Sequence, residues 1–571
     1  MTRIGIFIDT MQGSIPAAFR EKIVSAIRGL PEIAFAVEEE DLASPHALAR
    51  MAERLKAGEA DRFLILGGSP KIYETSFHKF GYAFSVNPYL FTVANLREQA
   101  LRAMANEEDA IDKAQKILIK AIHMASSSGP IEARSLPLKP EALVIGGGMV
   151  GITVAQALAT FGIHVTLVEK GKCLGGKAEE LRWFYNRPEE AEIWLENKII
   201  QVEKTSNITI LTQSVLKHLD GHLGRFRARI VGSDEKETML SPSAIVVSTG
   251  FASLKGIRGI YNHEGVTTLP QIEKLLWGTN KGSIEWGGKK VETVVYVLDE
   301  VNEDIKVDSI NAIKQSLVLQ EHLGCQVAIC CKDVKVAADG MERLYRRARE
   351  RGVLFFKYDE PPKLSTVKGQ IQVDVKDTAA IHKEDEWLVS ILPDLVVLSE
   401  AFVPNPETES LCRTLGLHLG NRGFLMEDNP QLLRVRSNRR GIFVAGGCRF
   451  PQEVSETLIE AKAVAQEVIA LLSKGAYAYD LSVAEVDPAK CAVCYTCPRL
   501  CPHSAITVEK YAEKNTYAPP GTGEGLKWGA ARVDPVACYG CGICVGECPA
   551  KAITLHHLTD KQIYAQMGLM E

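Results

Sequence analysis

The stretch EALVIGGGMVGITVAQALATFGIHVTLVE, residues 141–169, decides what the rest of the chain is built around. Ala142–Ile145 is a short apolar run suited to a buried strand, and Gly146, Gly148 and Gly151 follow at G-x-G-x-x-G spacing. Glycines so placed let the backbone turn tightly and approach a pyrophosphate, and the helix expected over roughly 150–160 aims its N-terminus at the same phosphates. A second strand, His164–Val168, ends on Glu169, whose carboxylate can hydrogen-bond an adenosine ribose hydroxyl. Strand, glycine triplet, helix, strand and terminal acid in one unit of about thirty residues specify a dinucleotide site more strongly than the triplet alone. The competing reading is a glycine-rich turn in an α/β core that holds nothing.

The 571 residues exceed one hydrophobic core, so three or four domains are expected. Near-average composition and a net charge of −5 give no sign of nucleic acid or an anionic membrane surface as a partner. MTRIGIFIDT at the start reads as a strand, not as a charged segment followed by a long apolar leader, which points to the cytoplasm. Residues 142–168 approach the length of a membrane span, but their glycines, Gln156 and His164 fit a buried strand-helix-strand better. Fourteen cysteines in such a chain argue for metal or redox chemistry, and eight of them lie between 491 and 548.

Residues 1–135 read as a small α/β domain without cysteine, with buried strands at Arg3–Asp9 and Arg62–Leu66 and helical periodicity near 16–29, 46–56 and 106–125. A serine- and proline-rich linker, 126–140, separates it from the dinucleotide unit, whose first part is set at 136–285. There Cys173 precedes a second glycine pair, Gly175 and Gly176. After a strand pair near 207–232, the apolar strand beginning at Ala244 closes on Thr249 and Gly250, a turn that can lie flat against a dinucleotide or simply end a strand. An inserted α/β unit at 286–384 opens with Val291–Leu298. The residues after it, Asp299–Asp304, are rich in carboxylates and lack glycine where a second pyrophosphate would sit, which argues against a nicotinamide site. Residues 385–475 return to the first domain's style, with a strand at Asp394–Leu398 and another that ends on Gly446 and Gly447. The helix near Glu453–Leu472 is expected to present unpaired amides and partial positive charge at its N-terminus, or only to pack on the sheet.

Cys491, Cys494, Cys497 and Cys501 are spaced C-x-x-C-x-x-C-x-x-x-C-P, and Cys538, Cys541, Cys544 and Cys548 repeat the pattern, so 476–571 is a duplicated two-cluster ferredoxin of the α+β bacterial type. In such domains the fourth cysteine of each run serves the other cluster. One [4Fe–4S] centre therefore takes Cys491, Cys494, Cys497 and Cys548, and the other takes Cys538, Cys541, Cys544 and Cys501. Zinc is the competing metal. Residues 511–530 read as a surface loop, and Thr559 with Gln562 as a capping box opening a helix that carries Ile563 and Met567 on one face, packed on its own domain or docked on a partner. The isolated Cys173, Cys325, Cys330, Cys331, Cys412 and Cys448 read mainly as small hydrophobes, with some doubt over Cys448 beside the glycine pair.

GGSPK (67–71), NPYLFTVANLRE (87–98), VIGGGMVGITVA (144–155), CLGGK (173–177), MERLYRRARERGV (341–353), GIFVAGGCRFPQEVSET (441–457), the duplicated ferredoxin and HLTDKQIYAQM (557–567) together resemble the A-type subunit of heterodisulfide reductase and its bacterial relatives. The resemblance implies a thioredoxin-reductase-like FAD core made of two dinucleotide-type domains, with FAD, not NAD, at Gly146, Gly148, Gly151 and Glu169. It also implies a dimeric place in a multi-subunit electron-transfer complex, with other subunits or a ferredoxin as partners and any contact with a membrane made through a partner. Some family members split electron pairs at FAD, an option the resemblance carries to this chain. The family's lysine near the flavin corresponds to Lys314, which could hydrogen-bond the ring nitrogen or be an ordinary solvated helix lysine. The family's further cluster cysteines are missing: their places read IDTMQG and GGSP, ELRWFYNRPEEAE and DEVNEDIKVDSIN. The expectation is an FAD and iron-sulfur electron-transfer component of a larger oxidoreductase. Its rivals are an NAD(P)H:ferredoxin-type oxidoreductase and a structural hub.

Overall fold

Consecutive β-branched and aliphatic residues bury both faces of a strand, and here such runs assemble into three separate all-parallel sheets. The computed structural model describes residues 2–567 except 28, 84–85, 186–189, 255–262, 278–281, 299–305, 380–387 and 511–528. The chain divides into two compact units, one of Met1–Ser135 with Ala478–Glu571 and the other of Leu136–Tyr477.

In the larger unit the strand order of the first sheet is Ile442–Val444, Ala244–Val247, Glu141–Ile145, His164–Val168, Ile208–Leu211. The Met149–Thr160 and Val454–Leu472 helices pack together beside it. An antiparallel layer of Ser214–Asp220, Arg227–Gly232 and Glu237–Leu240 shares a core with it through Leu143, Ile245, Phe226 and Ile230. A second sheet repeats the plan in the order Val266–Thr268, Leu395–Leu398, Thr293–Val297, Gln326–Cys331, Leu354–Lys357. Its Lys306–His322 helix shares one core with these strands, and an antiparallel layer of Lys363–Val367, Gln370–Lys376 and Leu388–Ile391 contributes to another. Val294, Val295, Tyr296 and Val297 are at most 1% exposed, so consecutive side chains on both faces are buried; each apolar one contributes about 1.5–3 kcal/mol.

The second sheet reaches beyond the 286–384 expected from the sequence. The strand at Leu395–Leu398, assigned there to the first domain, pairs with Thr293–Val297, and Asp394 secures the junction by accepting from the Glu292 and Thr293 amides at 2.8 and 2.9 Å. Both sheets demand the same buried parallel strand, so local composition does not say which one a strand joins. The carboxylate-rich run Asp299–Asp304 lies outside the described residues, as does most of the 511–530 loop.

The smaller unit begins with a sheet ordered Ile33–Glu39, Ile4–Asp9, Arg62–Gly67, Phe91–Asn95. Edge-to-face contacts among Phe7, Phe35, Phe63 and Phe91 hold one of its faces. At the carboxyl end of the sheet the Tyr73 hydroxyl donates to Asp9 at 2.8 Å, and a Cβ on Gly67 would fall 2.2 Å from that hydroxyl oxygen. The expected linker is partly ordered: the Glu107–Ser127 helix runs into it, and Ala133–Pro137 is a strand.

The ferredoxin portion pairs Ala484–Val486 with Ile553–Leu555 and Ile506–Lys510 with Gly529–Val533, both antiparallel. Thr559 and Gln562 form the expected capping box. The Asp560–Met567 helix packs against Glu107–Ser127 of the N-terminal domain, however. It buries Gln562 and Ala565, with the Gln562 amide donating to the Ser127 carbonyl at 3.3 Å, and leaves Ile563 and Met567 exposed. The apolar pair read from the sequence is therefore not the packed face. Among the described residues no helix is long and apolar enough to cross a membrane.

Candidate functional site

The first glycine turn opens a cavity of about 440 Å³ in the larger unit. Gly146 has φ +107°, and a Cβ there would fall 2.4 Å from the Ser248 carbonyl oxygen. One on Gly151 would fall 1.8 Å from the Gly146 carbonyl oxygen, so both glycines are demanded by backbone approach. Gly148 is different. Nothing lies closer to its Cβ position than the Gly175 carbonyl oxygen at 3.8 Å, and it lines the cavity.

The structure brings Gly146, Gly148, Glu169, Gly176, Thr249, Gly250 and Gly447 into that lining. Gly151, Gly175 and Gly446 stand behind it: Gly175 bridges to Gly148, and Gly446, at φ +75°, passes so close to Val150 that a Cβ would meet its side chain at 2.5 Å. The Glu169 carboxylate accepts from the Gly147 and Gly171 amides, both at 2.6 Å, which fixes its place at the end of the second strand. Cys448 is buried, its thiol directed to the Val247 and Ala445 carbonyls, and burial pushes it up to about 12, consistent with a packing role. Cys173, by contrast, is exposed.

The same cavity is also lined by Trp183, Tyr185, Glu273, Asn311 and Lys314. Lys314 is not a solvated lysine. Its ammonium donates to Glu273 at 2.8 Å and to the Trp183 carbonyl at 3.1 Å and lies 4.9 Å from the centre of the Trp183 ring. Burial pulls Lys314 below the ordinary lysine value, and the Glu273 charge opposes that shift. Glu273 also accepts from the Gln315 amide and from the Arg182 backbone, both at 2.9 Å. Neither Glu273 nor Trp183 stood out in the sequence. The only local hint was an acid facing inward on a short apolar helix, Leu269–Leu276.

At the start of the Val454–Leu472 helix the Ser455 and Glu456 amides, expected to be unpaired, are taken. Glu453 caps the helix, accepting from these two amides at 2.7 Å each. Behind this wall Glu460 accepts from Gly446 N–H at 2.5 Å, from the Gln452 side-chain amide at 3.1 Å and from Arg449, which also pairs with Glu427 at 3.1 Å. This network sets the turn that follows Gly446. The buried Thr249 Oγ1 and Gln452 Oε1 have no protein partner, as expected for a wall completed by a polar ligand. Open glycine positions, a capacity in the range of organic-cofactor sites and orphaned polar atoms together fit FAD.

The eight ferredoxin cysteines separate into two recesses. Cys491, Cys494, Cys497 and Cys548 rim one; Cys501, Cys538, Cys541 and Cys544 rim the other. Burial first, then repulsion from Cys491, Cys494 and Cys548, raises Cys497 to about 11, and burial with repulsion from Cys538, Cys501 and Cys541 raises Cys544 to about 12. Thiols so placed need the positive charge of iron to become thiolates together. Backbone amides of Ala505, Ala531, Gly540 and Ala552 already donate to Cys501, Cys491, Cys538 and Cys548 at 3.3–3.5 Å.

Two family descriptions match the chain: pyridine nucleotide-disulphide oxidoreductase over residues 133–291 and 4Fe-4S dicluster domain over 490–552. The chain is 26% identical to the A-type iron-sulfur subunit of the CoB–CoM heterodisulfide reductase of Methanocaldococcus jannaschii, over 81% of this chain and 84% of that protein. It is 24% identical to a protein of Archaeoglobus profundus described as like the same heterodisulfide reductase component, over 90% and 92%. A thioredoxin reductase of Lactococcus lactis superposes with a TM-score of 0.42 at 18% identity, covering 59% of this chain and all of that one. Over most of its length the chain is thus similar to the A-type subunits of heterodisulfide reductases, and it is an electron-transferring oxidoreductase component that carries FAD and two [4Fe–4S] clusters.

Proposed function

We propose that this chain relays electrons between FAD and its two clusters on behalf of other subunits of a larger oxidoreductase, a soluble ferredoxin, or both. It would work as a homodimer within a cytoplasmic complex, without nucleic acid, and would meet a membrane only through a partner. FAD, when bound, supplies the exchange between two-electron and one-electron chemistry that no side chain here provides. Gly146, Gly148 and Gly151 admit the pyrophosphate, and Glu169 is placed for the ribose. Gly175, Gly176, Thr249, Gly250, Gly446 and Gly447 shape the walls. Lys314 keeps a proton on Nζ at the ring end, where it can be shared with the cofactor or withheld by Glu273. Cys491, Cys494, Cys497 and Cys548 would hold one cluster, and Cys538, Cys541, Cys544 and Cys501 the other.

The observation that carries this reading is the sorting of eight cysteines into two recesses, each drawing on both runs, in a chain that also builds the glycine-lined cavity. Oxygen-free purification should yield about eight irons per flavin. Absence of flavin, or about half that iron, overturns it. Rapid bleaching of the flavin by NADH or NADPH alone would replace it with a nicotinamide-dependent reductase. Pair splitting is a finer version of the same reading; a one-electron-reduced flavin stable over a wide range of potential speaks against it.

A further inference from the structure

A long helix pointed at a cofactor normally offers the equivalent of about half a positive charge and several free amides, which stabilise negative charge on the group they face. The 19-residue Val454–Leu472 helix has its N-terminus at the cavity, with Val454 and Thr457 in the lining. That terminus is already taken. Glu453, 5% exposed, lies in the same lining and satisfies the Ser455 and Glu456 amides, while Glu456 turns back toward the Glu453 amide. Capping alone asks for less: serine, asparagine or aspartate are the usual residues there, and serine and asparagine bring no charge.

The nearby cations do not cancel this carboxylate. Lys314 is committed to Glu273 at 2.8 Å, Lys306 to Glu456, Lys177 to Glu180 at 3.0 Å and Lys170 to Glu407 at 3.1 Å, so each of these lysines already faces another carboxylate and Glu453 is left with a negative charge that none of them is paired to. The charge acts on its surroundings: Tyr185, in the same cavity, is pushed up to about 12, first by burial and next by Glu453. Tyr185 lies two residues after Trp183, whose carbonyl receives Lys314, and the Lys306–Glu456 pair ties this terminus to the helix that carries Lys314, so Glu453 belongs with the Lys314 part of the lining, beyond the pyrophosphate turn.

We infer that Glu453 sets the reduction potential of the flavin site: its buried carboxylate cancels the helix terminus that would stabilise negative charge on the ring, and so makes bound FAD harder to reduce. Two-electron reduction leaves the ring negative unless two protons enter with the electrons, and it is this added charge that Glu453 opposes. A lowered potential suits delivery of electrons to low-potential iron-sulfur centres. The inference rests on the FAD reading above.

Spectroelectrochemical titration of the full-length protein tests it with Glu453→Gln and Glu453→Asn, which can still cap, and Glu453→Asp, which keeps the charge. Both neutral variants should bind reduced FAD at least about tenfold more favourably relative to oxidised FAD, a rise of about 30 mV for a two-electron couple. Glu453→Asp should stay near the parent value. Should Glu453→Gln fail to fold, Glu453→Asn carries the measurement. A bound flavin whose potential stays unchanged or falls in the neutral variants overturns the inference, as does a rise of the same size in Glu453→Asp. Flavin-free parent protein would instead strike the FAD reading itself.

Discussion

Lys314 Nζ stands 2.8 Å from Glu273 Oε1, and only 4% and 3% of the two side chains remain exposed. Such a pair gains little over a well-packed apolar pair, but breaking it strands a buried charge. Lys314→Met should therefore lower stability by about 3–5 kcal/mol, whereas the Lys314→Met, Glu273→Leu double variant should recover most of that loss. Denaturant titration of the purified protein measures both. A double variant as weak as the single one would remove the ion pair from the account.

The glycine turn separates folding from binding. Gly151→Ala puts a methyl group 1.8 Å from a backbone oxygen and should yield little folded protein, while Gly148→Ala has nothing nearer than 3.8 Å and should fold normally. Because that methyl occupies the cavity, Gly148→Ala should retain less than about a tenth of the flavin, with iron content unchanged. Absorbance of flavin and clusters in the purified variants reads this directly.

The crossed cysteine sets make a prediction that spacing within one run does not. Cys494→Ala and Cys548→Ala should remove the same cluster, leaving about four irons each, and combining them should cost no more iron. Pairing Cys494→Ala with Cys501→Ala should abolish both clusters. Iron analysis and electron paramagnetic resonance of the reduced proteins decide.

His557 links pH to the smaller unit. Burial, opposed by the Asp480 charge and reinforced by His556, holds its imidazole below the ordinary 6.5, and the Tyr89 ring lies 6.1 Å away. The unfolded chain therefore binds the proton more readily. This contribution to stability is complete above about pH 7 and is lost as pH falls from 6.5 toward the lowered value. The melting temperature of cluster-loaded protein should decline over that interval, and His557→Gln should flatten the decline.

What could be read from the sequence divides by the range of the interaction responsible. Gly151 is imposed by the nearby Gly146 carbonyl and the cysteine runs carry their ligand spacing in the local chain, so both were legible; Gly146, imposed by the distant Ser248 carbonyl, was legible only through the same glycine spacing. Lys314 was found only through resemblance, and its burial was not foreseen, because the partner that decides its state is 41 residues away at Glu273. The Leu395–Leu398 strand went to the wrong sheet since two parallel sheets ask the same of it. At the Val454–Leu472 helix the terminus was located correctly, but Glu453 was counted as its first residue and not as the acid that occupies it. For Asp560–Met567, helical periodicity marked Ile563 and Met567, while the surface actually met, on Glu107–Ser127, selects Gln562 and Ala565.

Each ferredoxin recess takes three cysteines from one run and its last from the other. The two halves are therefore interlocked, and damage to one sulfur-bearing run reaches the inorganic contents of both.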